Sequence, residues 1–353
     1  MGKNILLIDK LNSTKELTKE EFISLFSTFT DEDIEYARSI ACKIRDKWYG
    51  KKIYLRGLIE ISSICKNDCF YCGIRRSNSA AERYRLSKED ILECCATGYS
   101  LGYRTFVLQG GEDLYYNDDV LCDIISSIKK LYPDVAVTLS IGEKTYHQYK
   151  KYYDAGADRY LLRHETANEE HYYKLHPQSM SFTNRIECLY NLKKIGYQVG
   201  TGFMVESPYQ TPETLAEDFI FLKELNPDMV GIGPYIVHHS TPFANEQSGT
   251  SRTTLFLLSL IRIMLPYVLL PATTSLGTID NDGQIKGFLS GANVMMPNLS
   301  PVNVRKKYLL YDNKLCSGNE AAEFKSSLCK KLKTFGFEVL DSRGDVKKEP
   351  LHN

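Results

Sequence analysis

Ile53-Tyr-Leu-Arg-Gly-Leu-Ile59, followed shortly by Cys65-Lys-Asn-Asp-Cys69-Phe-Tyr-Cys72, decides how this chain is read. The first part is a short, largely apolar run of strand type; the second is a polar loop carrying three cysteines at C-x3-C-x2-C spacing. Three thiolates so spaced hold three irons of a [4Fe-4S] cluster and leave the fourth iron without a protein ligand. Electron-transfer clusters take four cysteines, and structural zinc sites close with four Cys or His ligands in paired blocks. Neither set is completed nearby, because Gly73-Ile-Arg-Arg-Ser-Asn78 brings no thiolate and His164 lies far downstream. An open iron is a place for chemistry, and chance spacing or a zinc loop is the competing reading.

Outward from this loop, strands and helices alternate. A helical preface covers about residues 14 to 49, where Thr18-Lys-Glu-Glu21 has the form of a capping box. After the cysteine loop, Ser87-Lys-Glu-Asp90 caps a helix, and 105–108 reads as strand, 120–131 as helix and 135–139 as strand. Further strands are expected at 159–162, 199–204, 229–232, 268–270 and 293–296, with Thr211-Pro212 opening one of the intervening helices. Eight strand candidates separated by helices predict a complete (β/α)8 barrel of the TIM type, with a six-strand partial barrel as runner-up. The expected organisation is an N-terminal helical segment over 1–50, the barrel over 51–300 and a C-terminal helical extension over 301–353.

Composition agrees with an enzyme of this size. The 353 residues are 43% hydrophobic, enough for a large core, and 44 basic against 44 acidic residues leave no surplus for nucleic acid. The apolar run near the N-terminus is four residues long and stops at Asp9, too short for a signal peptide or a membrane span. A cytoplasmic location with reduced thiols is expected for the ten cysteines.

In such barrels the polar groups that do chemistry sit at the C-terminal ends of strands. Gln109-Gly-Gly-Glu-Asp113 ends the second strand; its glycines permit close backbone approach, and Glu112 can accept from an ammonium group. Arg159, Leu161, Arg163 and Glu165 share one face of the fourth strand, because strand side chains alternate with period two. Buried, three such charges need partners or a ligand; an ion-pair ladder is the alternative. Thr138 and Ser140 share a face of the third strand. Gly200, Gly202, Gly231 and Gly233 either leave room for a bulky ligand or serve tight packing. The Thr273-Thr274 pair either caps a helix or meets a ligand.

The cysteine loop, with the aromatic Tyr71 directly before its last cysteine, resembles the signature of the radical S-adenosylmethionine (SAM) superfamily. In that superfamily SAM chelates the open iron and is cleaved to a 5'-deoxyadenosyl radical. Four further stretches, Arg159-Tyr-Leu-Leu-Arg-His-Glu-Thr-Ala167, Gly231-Ile-Gly-Pro-Tyr-Ile236, Pro271-Ala-Thr-Thr-Ser-Leu-Gly-Thr278 and Gly291-Ala-Asn-Val-Met-Met-Pro-Asn298, are similar to the HydE family. HydE proteins are radical SAM maturases of [FeFe]-hydrogenase, and the similarity runs from about residue 40 to about 315. It implies that one [4Fe-4S] cluster sits on Cys65, Cys69 and Cys72. It further implies that Tyr71, Gly110, Gly111, Glu112, Ser140, Glu165 and Arg185 contact SAM, Arg185 meeting its carboxylate. Gln109, Thr138, Arg159, Arg163, Thr273, Thr274 and Tyr308 would line the substrate cavity. The implied substrate is a cysteine-bound organometallic iron complex with CO and cyanide ligands; the implied partners are the other maturases and a reductant such as ferredoxin or flavodoxin. Two departures from the family pattern stand out. Glu206-Ser-Pro-Tyr-Gln-Thr211 replaces Gly-Leu-Pro-Gly-Gln-Thr, so a different loop path is expected. Of a C-terminal accessory cysteine set only Cys316 is matched, with Phe324 and Ser327 near the other two positions. Related enzymes such as biotin synthase or methylornithine synthase, a HydE-like paralogue, and a non-enzymatic iron-sulfur carrier are the alternatives.

Overall fold

Six short strands lie side by side in chain order, every pair parallel: Gly57–Ser62, Thr105–Gly110, Ala136–Ser140, Arg159–Leu161, Gln198–Thr201 and Met229–Val230. The computed structural model describes residues 2–315, 321–349 and 351. Two more positions complete a ring. Residues 269–271 bridge Met229 on one side and Val294 on the other, and the eighth strand, Val294–Met295, leads back to the first. There the Leu58 N–H donates to the Pro297 carbonyl at 2.8 Å, and the Leu299 N–H donates to the Leu58 carbonyl at 2.7 Å. Closure through these last two positions removes the six-strand alternative.

The helices form where caps and apolar spacing agree. Capping boxes at Thr18/Glu21 and Ser87/Asp90 open Lys19–Thr28 and Lys88–Ser100, and Thr211 with Pro212 opens Pro212–Leu225. The preface starts earlier than expected, with a helix over Lys3–Thr14 whose N-cap, Gly2, makes no side-chain bond. The preface packs on the outer ring: Phe22 and Phe26 of Lys19–Thr28 meet Phe219, and Asp31–Tyr49 lies on Ser251–Met264. Among the described residues no helix is long and apolar enough to cross a membrane.

After the eighth strand, residues 306–315 pass as a strap across the mouth of the barrel, where the Gly73 N–H donates to the Leu310 carbonyl at 2.8 Å. The chain then returns to the barrel floor through Ala321–Thr334 and a strand, Glu338–Leu340, paired with Lys52–Leu55. The C-terminal extension is therefore not purely helical. Cys316, expected to be the remnant of an accessory set, lies outside the described residues, as does the side chain of Phe324.

Two glycines are required by close approach. A Cβ on Gly202 would lie 2.0 Å from the Gly231 carbonyl oxygen, and one on Gly111 would lie 2.3 Å from the Ile64 carbonyl oxygen. Tight packing, not a bare face, thus accounts for Gly202. In the loop of residues 206–211, Glu206 and Tyr209 stand where the family pattern has glycine, and both keep positive φ, 56° and 65°. The turn is still of glycine type, at a local conformational cost. Glu206 offsets part of that cost by accepting from the Thr250 N–H and the Thr253 hydroxyl at the start of Ser251–Met264.

Candidate active site

At the C-terminal ends of the strands lies a cavity of about 290 Å³ into which the cysteine loop faces. The loop is held from several sides. Arg83 donates to four carbonyls, those of Ser63, Ile74, Arg75 and Asn78, at 2.6 to 3.0 Å. Asn78 closes on the Gly73 carbonyl at 2.7 Å, and the Phe70 N–H reaches the Leu175 carbonyl at 3.0 Å. Gly111 lets the second strand's end come in beside Cys65. The cysteine loop, which has no regular structure, is thereby fixed in place before anything binds.

Cys65, Cys69 and Cys72 all line this cavity. Burial pushes each thiol up, Cys72 to about 12, so a metal bound here would have to displace the thiol protons. The site is prepared for that charge. The Asn67 and Glu112 N–H groups both point at the Cys65 sulfur, each at 3.4 Å. Three convergent cysteines with N–H donors fit an iron-sulfur cluster, in which hydrogen bonds to sulfur are a principal tuning device.

Every residue expected to contact SAM lines the same cavity: Tyr71, Gly110, Gly111, Glu112, Ser140, Glu165 and Arg185. Several already have partners. The Tyr71 hydroxyl donates to His176 Nε2 at 3.1 Å, while His176 Nδ1–H donates to the Tyr172 carbonyl at 3.0 Å. Burial lowers the pKa of His176 to about 3, so this imidazole stays neutral and oriented. Glu112 accepts from the Glu143 N–H at 3.0 Å and pairs with Lys66 at 3.1 Å. Arg185 pairs with Glu143 and donates to the Arg163 carbonyl at 2.9 Å. Glu165, at φ 66°, adopts a backbone conformation that non-glycine residues rarely hold. Beside it stands Arg163, 3.2 Å away; Arg163 Nε and Nη2 and Glu165 Oε2 are buried with no hydrogen-bond partner. The two charges offset each other through that contact, and the Arg163 side chain, 33% exposed, stands at the cavity wall where a polar ligand can reach it.

The expected substrate residues divide. Gln109, Arg163 and Tyr308 line the cavity, the first and last linked at 3.4 Å. Arg159 does not. It lies at the opposite end of the fourth strand, where it donates to Thr105 (3.0 Å), Gln198 (3.2 Å), the Arg343 carbonyl (2.8 Å) and Asp345 (2.6 Å). It is 3% exposed and sealed in by the C-terminal segment. Thr138, beside it, faces a small interior void with Arg56 and has no hydrogen-bond partner. Thr273 is the N-cap of Thr274–Ile279, and its neighbour Ser275, not Thr273 or Thr274, reaches the cavity. An Arg159→Ala variant is accordingly expected to lose on the order of 2 to 3 kcal/mol of stability. Its affinity for SAM should be unchanged; urea denaturation beside a SAM titration checks both, and weaker SAM binding at normal stability would contradict the placement.

Beside the expected Tyr308, the strap supplies residues the sequence reading missed: Leu310, Tyr311 and Lys314. Tyr308, Leu310 and Tyr311 form one wall of the cavity. Behind them Lys314 reaches inward to the carboxylate of Glu60 and donates to the Tyr308 carbonyl at 2.9 Å. Glu60 is fully buried on the first strand, and Asn298 donates to its second oxygen at 2.8 Å. Lys314 also lies 4.8 Å from the centre of the Tyr308 ring.

The chain matches the family model described as the radical SAM superfamily over residues 59–233. It is 45% identical over 317 residues to the [FeFe] hydrogenase maturase subunit HydE of Thermotoga maritima, covering 89% of each chain. It is 28% identical to the 3-methylornithine synthase of Methanosarcina barkeri, over 87% of each. Among solved structures it superposes on methylornithine synthase (PylB) with a TM-score of 0.82 at 26% identity, covering 95% of this chain and 97% of that one.

Proposed function

Since this chain belongs to the HydE family of [FeFe]-hydrogenase maturases, within the radical SAM superfamily, we propose that its mouth cavity serves both halves of the reaction. SAM lies against the cysteine loop, and the substrate lies against Arg163 and the strap. The chain is a radical SAM enzyme that acts in [FeFe]-hydrogenase maturation. When bound on Cys65, Cys69 and Cys72, the cluster supplies the electron that cleaves SAM to a 5'-deoxyadenosyl radical.

The chain's own residues position the reagents and keep water out. Gly110, Gly111 and Ser140 offer SAM close backbone approach and a hydroxyl, Tyr71 is aligned by His176, and Arg185 is kept in the wall by Glu143. The observation that carries the substrate half is the Arg163 side chain, 33% exposed at the wall of the cavity shared with the cysteines and paired there with Glu165 at 3.2 Å. A guanidinium there suits an anionic ligand, in keeping with a cysteine-bound iron complex carrying cyanide. The strap covers the substrate side through Tyr308 and Tyr311. One cluster suffices for this arrangement. A ferredoxin- or flavodoxin-type reductant would supply the electron to a cluster held on these cysteines, and the other maturases would receive the product.

The experiment is an anaerobic maturation assay beside SAM cleavage without substrate. Arg163→Met should keep 5'-deoxyadenosine formation within a few-fold of wild type but depress maturation by roughly ten- to a hundredfold, the loss of one charged hydrogen bond. About four irons per wild-type chain should be found in the same samples. Normal maturation by Arg163→Met would remove the substrate assignment, and a chain that makes no 5'-deoxyadenosine would be a carrier.

A further inference from the structure

Against the outer side of the cysteine loop sits a second group of metal-binding side chains. His238, His239 and Asp312 bring two imidazoles and a carboxylate together, their ligand atoms all within 4.8 Å of one another. We propose that these three residues form a divalent transition-metal site, separate from the cysteines, that fastens the strap to the barrel.

The two histidines follow Val237 on one segment, and Asp312 belongs to the strap. The segments are already tied, the Asp312 N–H donating to the Val237 carbonyl at 3.0 Å. The carboxylate is oriented by the His239 N–H at 2.9 Å and His239 Nδ1 at 2.8 Å. Asp312 Oδ1 lies 3.9 Å from His238 Nε2, and the two imidazole rings stack with centres 4.6 Å apart. Burial lowers the pKa of His238, favouring the neutral ring that a metal requires. Room is made by Gly73, the residue after Cys72: a Cβ there would lie 2.5 Å from His238 Nε2. The His239 side chain is 71% exposed, so only its bond to Asp312 holds the ring, and a bound metal would draw the three ligand atoms closer than their present spacing.

Two imidazoles and one carboxylate are the donor set of Zn(II), Fe(II) or Co(II), with positions left for water or an outside ligand. The present hydrogen bonds state what binding displaces. Ser240 N–H donates to His238 Nδ1 at 3.1 Å, so the ring proton is on Nε2. Ligation through Nε2 moves that proton to Nδ1 and gives up the Ser240 bond, and the metal takes the place of the proton between His239 and Asp312. Because Tyr308, Leu310 and Tyr311 of the strap wall the cavity, occupancy would hold that wall shut.

The test is equilibrium dialysis of the cluster-loaded, chelator-washed chain against Co(II), with cobalt counted per chain, beside His239→Ala and Asp312→Asn. Both side chains reach the surface, so the variants should fold, and any cobalt held by thiols is common to all three proteins. The wild type should retain one more cobalt per chain than either variant at micromolar free metal, each variant binding about tenfold or more weakly. Cobalt should also slow tryptic cleavage after Lys306 and Lys307 in the wild type alone. Equal cobalt retention by all three proteins would overturn the site, and so would cobalt protection of the strap that persists in the variants.

Discussion

Replacing Cys65, Cys69 or Cys72 singly with alanine is expected to abolish 5'-deoxyadenosine formation, not merely slow it. Each cysteine would be one of only three protein ligands, and among the described residues no other cysteine lines the cavity. The barrel should survive, because the loop is fastened by Arg83 and Asn78 through backbone carbonyls and not through the thiols. Far-ultraviolet circular dichroism should therefore be unchanged while the cluster's visible absorbance disappears. Any one variant that kept normal absorbance and wild-type turnover would show that its cysteine is not a ligand.

The second large effect belongs to Lys314. Replacing it with methionine strands the Glu60 carboxylate, 0% exposed, without its cation. Breaking a buried pair from one side costs about 3 to 5 kcal/mol. The strap and Tyr308 should lose their anchor with it, so maturation should fall along with stability. The double variant Glu60→Gln/Lys314→Met removes both charges together and should regain most of the stability. Denaturant unfolding of the three proteins measures this, and a double variant no more stable than Lys314→Met would show that the pair does not act as one unit.

What was legible in the sequence was mostly local. The cysteine loop is a spacing of seven residues, the caps at Thr18, Ser87 and Thr211 are patterns of three, and the barrel follows from strand runs that alternate with helices. The first helix, Lys3–Thr14, escaped because it has neither a cap side chain nor an acidic first turn. Arg159 was legible as a buried charge needing a partner but not as a floor residue, since its carboxylate, Asp345, lies 186 positions further on. Lys314 left no local trace at all, because its partner, Glu60, is 254 residues away in a strand of otherwise apolar character. Arg159 opens its strand at the floor whereas Arg163 and Glu165 lie past the strand's C-terminal end at Leu161, and periodicity identifies a face but neither a depth nor where the strand stops. The loop at Glu206 and Tyr209 shows the reverse limit, in that the glycine conformation persists although the residue that usually signals it has been replaced.

The floor also carries a temporal meaning. Thr105, Arg159 and Gln198 belong to the second, fourth and fifth barrel strands, yet they converge on Arg343 and Asp345, which leave the ribosome after all eight strand positions have been made. A nascent barrel therefore waits with the Arg159 guanidinium short of its carboxylate, open to water from below, until the segment carrying Asp345 arrives and docks. Docking of the segment around Arg343 and Asp345 is thus the event that dries the interior, and a metallocentre inserted earlier would sit in a vessel not yet stoppered.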